Sequence, residues 1–155
     1  MARPLLRLIV LLTFLLPAGP SLAQVAFPQS SLEVVGADGG HHRFMVELAV
    51  TPDQLAQGLM YRTKMAADAG MLFDFGVPKP IAMWMKNTVI PLDMLFIDES
   101  GVVTGIAQRT IPHSTVTIAS PGPVKAVLEV NGGTAARLHV QVGDKIVHPL
   151  FAPRP

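Results

Sequence analysis

Five polar residues in this chain sit in places that call for a chemical explanation: Arg62, Lys86, Asn87, Asp93 and Glu129. Three of them fall in AMWMKNTVIPLD, residues 82–93, beside the only tryptophan. Pro91 cannot donate to a strand ladder, so 86–92 is predicted as a turn or strand-end connection carrying Lys86, Asn87, Thr88 and Asp93 to one rim. In such a rim Lys86 would bind an anion, Asn87 would orient it through its amide, and Asp93 would set the charge of Lys86. The plainer reading is also open: Asn and Asp often satisfy loop backbone donors, with the lysine simply solvated.

Glu129 lies inside AVLEV, where its neighbours expect burial. A buried carboxylate is expensive without a partner. Candidate partners are Arg62, which follows the apolar end of a predicted helix, and Lys86. Strand alternation puts Val127, Glu129 and Asn131 on one face. The sharper expectation is a charged pocket in which Arg62, Lys86, Asp93 and Glu129 converge; a structural ion pair or a solvated face is the alternative. If they converge, a desolvated lysine could act as a base or form a Schiff base, and two carboxyls could divide acid and base work. A hydrolase-like or lyase-like enzyme is therefore the alternative to a binding site.

Metal chemistry is disfavoured. Seven methionines beyond Met1, with His41, His42, His113, His139 and His148, are a composition that could suit copper. Most of the methionines, however, lie in or beside apolar runs, where Met fills core gaps. His41 and His42 would point to opposite faces of a strand. The expectation is no metal and no cofactor.

The elements that must position these residues are short. SLEVV and HHRFMVELAV flank GADGG and read as a hairpin. TPDQLAQG carries a capping box, with Thr51 as cap, Pro52 in the first turn, Gln54 reaching back and Gly58 as stop. From Gly70 the pattern is short apolar runs broken by turns: GMLFDF, IAMWMK, DMLFID, GVVTGIAQ, KAVLEV and DKIVHPLF. DESG makes residues 93–108 a second hairpin. Residues 110–123, with three prolines, read more as loop than as element. GGTAARL predicts a second short helix capped by Thr134. The fold class is α+β, mostly β: a single compact sheet-rich barrel or sandwich with one or two short helices.

Residues 1–23 carry Arg3 and Arg7, an apolar run from Leu5 to Leu16, and small residues at Ser21 and Ala23. This is the pattern of a secretory signal peptide cleaved after Ala23. The run is too short to span a bilayer, which needs roughly 20 apolar residues. The expected location is periplasmic or secreted, with an N-terminal tail at 24–30, one globular domain at 31–150 and a C-terminal tail at 151–155. After cleavage ten Lys and Arg face eleven Asp and Glu, with no basic run, which argues against nucleic acid and against stable membrane insertion. The chain has no cysteine, which excludes disulfides, thiolate metal sites and a cysteine nucleophile.

Five fragments in order, QLAQGLMYR (54–62), GMLFDF (70–75), WMKNTVIPLDMLFID (84–98), SPGPVKAVLEVNGG (120–133) and VGDKIV (142–147), resemble the bacterial and archaeal domain of unknown function 192. The resemblance covers about residues 32–150. It implies a small sheet-rich barrel, often exported, with no established activity, cofactor or partner. Many members carry an aromatic residue before the tryptophan and another in the TIAS region, where Met83 and Ile118 stand here. The expected function is binding of a small polar or anionic ligand, or a peptide, at a rim built from Arg62, Lys86, Asn87, Asp93 and Glu129. A structural interaction module whose sheet edge pairs with another protein is a further alternative.

Overall fold

The structure, a computed structural model, describes residues 25–152; the predicted signal peptide lies outside them. Strand β1 (Gln29–Val35) turns through the predicted glycines into β2 (His41–Ala49), pairing Val35 with His41. Helix α1 (Pro52–Gln57) follows with the predicted capping box: the Gln54 N–H donates to the Thr51 hydroxyl, and the Gln54 side chain accepts the Thr51 N–H. The helix stops at Gly58, whose φ of 49° is left-handed.

The chain then crosses into β3 (Ala69–Met83), which runs parallel to β2. β4 (Leu92–Ile97) and β5 (Val103–Ala107) form the second predicted hairpin. β6 (Ile118–Asn131) inserts between β3 and β4, antiparallel to both. α2 (Thr134–Arg137), β7 (Lys145–Val147) and a 3-10 turn (Pro149–Phe151) complete the chain. The sheet order is β5-β4-β6-β3-β2-β1-β7, a mixed sheet curled into a half-barrel. Its ends meet where Val103 N–H donates to the Asp144 carbonyl and Ile146 N–H to that of Gly101.

Both faces of the central strands are buried, which is why β4 and the second half of β6 read as continuous apolar runs. One face packs Leu32, Phe44, Leu72, Leu95, Leu128 and Val130 inside the curl, with Ala135 and Val140 beside α2. The other packs Met71, Phe73, Met94, Phe96 and Val127 against Leu59, Met85 and Leu92, with Leu55 of α1 at its margin. Among the described residues no helix is long and apolar enough to cross a membrane.

Four local expectations are corrected. GMLFDF and IAMWMK are parts of one strand, β3, which shifts register between Asp74 and Lys79 and ends before Trp84. Residues 118–123 are not loop: β6 begins at Ile118, and its prolines are accommodated at irregular pairing, with Pro80 opposite Pro123. Gln29 and Ser30 belong to β1 rather than to a tail, and Phe151 belongs to the 3-10 turn. Thr134 does not cap α2. The cap position is Gly133, which contributes no side-chain bond, and a carboxylate from β4 takes that part.

Candidate functional site

That carboxylate is Asp93, which is completely buried. It accepts from the N–H groups of Arg109 at 2.7 Å, Gly133 at 2.9 and 3.0 Å to its two oxygens, and Ala135 at 2.8 Å. Acceptors at a helix start satisfy orphan backbone donors. Asp93 thus fastens the 107–110 turn and the start of α2 to β4. Its strand partner is Val130, next to Glu129, so alternation sends the two acids to opposite faces of the sheet. They do not share a cleft.

Arg62 also lies apart. Its guanidinium pairs with Glu47 of β2 at 2.5 Å, beside a shallow groove lined by Gln29, Met45 and Lys64. Neither Arg62 nor Lys86 pairs with Glu129. Lys86 is exposed, with its ammonium 5.4 Å from the centre of the Trp84 ring. Asn87 is left-handed at φ 57°; its carbonyl accepts from Tyr61 N–H, and its amide approaches the Met60 sulfur at 3.8 Å. Lys86 and Asn87 therefore reach residues that wall a cavity, while Asp93 and Arg62 serve elsewhere.

Glu129 is at the base of that cavity. In register it lies between Met71 of β3 and Met94 of β4, and it is only 4% exposed. Among the described residues burial alone acts on its carboxyl, with no hydrogen bond to it, and the carboxyl opens onto a space of about 120 Å³. The walls come from three directions. β3 contributes Phe73, Phe75 and Met83; the end of α1 and the turn after it contribute Leu55, Leu59 and Met60; and the segment beyond β3 contributes Trp84 and Thr88. Gly58 permits this closure, because a Cβ there would lie 2.9 Å from the Phe73 ring. Burial without a compensating charge pushes the Glu129 carboxyl up to about 8, so it is largely protonated at neutral pH.

The sequence singled out Glu129 correctly as a buried acid but missed its aromatic surroundings. Alternation of Met71, Phe73 and Phe75 on one face of GMLFDF was the available signal. Met83 lines the cavity and is the register partner of Ile118, so these two positions are neighbours. Among the described residues no three His, Cys, Asp or Glu side chains are grouped to hold a metal ion.

The family model of DUF192, described as an uncharacterised ACR, matches residues 34–148. The chain belongs to the DUF192 family. Two crystal structures of similar chains have the same fold. One, a candidate transcription regulator from Sinorhizobium meliloti 1021, is 49% identical with a TM-score of 0.79, covering 81% of this chain and 97% of its own. The other, a protein of unknown function from Novosphingobium aromaticivorans DSM 12444, is 39% identical with a TM-score of 0.77, covering 85% and 94%. No curated protein matches this DUF192 chain.

Proposed function

We propose that this DUF192 chain is an exported binding domain that takes a small ligand, or one side chain of a peptide, into the cavity above Glu129. One observation carries the reading: a carboxyl that is 4% exposed and receives no hydrogen bond from the described residues opens onto a cavity with aromatic and methionine walls. Packing alone gives no reason for a glutamate between Met71 and Met94, whereas a ligand that bonds the carboxyl does. An engineered cavity of about 150 Å³ holds benzene, so a space of this order suits a group of roughly five or six heavy atoms. Export is supported by the signal-like pattern of residues 1–23.

A second reading, an enzyme, keeps one specific support. A carboxyl titrating at about 8 in an apolar cavity is suited to general acid–base work near neutral pH.

Trp84 makes the binding reading testable, since it is the only tryptophan and it walls the cavity. Small amines, amides, alcohols and acyl compounds would be titrated against the purified chain while Trp84 emission is followed. The expected result is a saturable change for at least one class, lost in Ala82→Phe, which fills the opening while circular dichroism stays native. Absence of saturable binding across the panel at millimolar concentration would overturn the reading.

A further inference from the structure

We infer that the group this cavity takes is an alkylammonium cation, its charge met by the Glu129 carboxylate and by the rings of Phe73, Phe75 and Trp84. The inference rests on the binding reading above and adds the ligand class. Its first support is a missing partner. Among the described residues Glu129 has no cationic partner to hold its ionised form, since Arg62 pairs with Glu47 and Lys86 lies outside, over Trp84, so the carboxyl keeps its proton until a cation is supplied. Across from Glu129, β3 and β4 present Met71 and Met94, while Leu59 and Thr88 come from the covering segments; none of these can carry charge.

The second support is the walls. Aromatic faces attract ammonium groups within about 6 Å of the ring centre, and cages of such rings recognise quaternary ammonium ligands. Two of the cavity's own rings already do this on the outside: the Lys86 ammonium lies 5.4 Å from the Trp84 centroid, and that of Lys79 lies 5.9 Å from Phe75. A carboxyl below and rings around is the arrangement that binds a compact organic cation, and the cavity's size matches one such headgroup.

The proton on Glu129 gives this ligand class a signature. A cation binds the ionised carboxylate, so its apparent affinity follows the ionised fraction and rises about tenfold between pH 7 and pH 9. An uncharged hydrogen-bond acceptor would bind the protonated carboxyl and weaken over the same interval.

The experiment is a titration of the full chain, followed by Trp84 fluorescence at constant ionic strength. Choline and tetramethylammonium chloride are compared with 3,3-dimethyl-1-butanol, the uncharged isostere of choline. The expected result is saturable choline binding at least tenfold tighter than the alcohol and strengthening with pH. Glu129→Gln would bring choline down to the level of the alcohol and flatten its pH profile. Lys86→Met would tighten it by removing a like charge from the rim. Equal binding of choline and the alcohol, or a pH-independent choline affinity, would overturn the inference. If amides or acyl compounds bind while the cations do not, the binding reading survives and the inference falls; if nothing binds, both fall. Should Glu129→Gln fail to fold, the pH series on the unaltered chain decides.

Discussion

Replacing Glu129 with Gln should stabilise the fold, and by an amount that grows with pH. In the unfolded chain the carboxyl titrates near 4.5; in the folded chain burial holds it up to about 8. Below the lower value both states carry the proton and the residue contributes no pH dependence. Between the two values the unfolded state has released a proton that the folded state keeps, so stability falls as pH rises, by about 1.4 kcal/mol per unit. Above the folded value the loss levels off. By pH 7 the accumulated loss is about 3 kcal/mol, a large part of the 5–15 kcal/mol typical of a domain. Gln has nearly the shape of the protonated acid and does not titrate. The two proteins should therefore agree within about 1 kcal/mol at pH 5 and separate by about 3 kcal/mol at pH 7. Urea denaturation of both, followed by circular dichroism in steps from pH 5 to pH 9, measures the difference, and titrations common to both chains cancel. A separation that stays constant with pH would refute the argument, because it would mean that Glu129 keeps an ordinary carboxyl pKa in the folded state.

Asp93→Ala should cost about 3–5 kcal/mol, because the N–H groups of Arg109, Gly133 and Ala135 lose their acceptor in the interior. Denaturation measures the loss, and hydrogen exchange should accelerate at those three amides; a loss below about 1 kcal/mol would show that water or a backbone shift replaces the carboxylate. Arg62→Ala should change stability by no more than about 1 kcal/mol, since its pair with Glu47 is partly exposed. It should also leave the Trp84 titrations unaltered, and a weakened response there would place Arg62 in the site after all.

The parts of the fold that are encoded locally were legible in the sequence. GADGG, the Thr51 to Gln54 box and DESG each fix a turn or helix start within a few residues, and each is found where its chemistry predicts. The β3 and β6 pairing was obscured for a physical reason. Pro78, Pro80, Pro121 and Pro123 look like breakers when each segment is read alone, and they become tolerable only because the two strands meet at irregular register, Pro80 against Pro123. The helix cap was hidden in the same way. The acceptor for Ala135 stands 42 residues away, and nothing near Thr134 announces it.

The site was legible in half for a related reason. Asp93 and Glu129 present the same sequence signature, an acid within an apolar strand, and they meet opposite fates. Asp93 is the second residue of β4, beside two turns whose N–H groups have no ladder partner, so a short carboxylate there can be satisfied by backbone alone. Glu129 is two residues from the end of a strand with neighbours on both sides, so the nearby backbone donors belong to ladders, and its register partners Met71 and Met94 have no side-chain N–H or O–H to offer. An acid in a central strand flanked by apolar partners can be satisfied only by a more distant side chain, by water or by a ligand. Among the described residues no side chain hydrogen-bonds it, and the carboxyl opens onto a cavity. On the binding reading proposed above, the group that completes Glu129 enters from outside the fold, and the pH dependence of its binding would identify its charge.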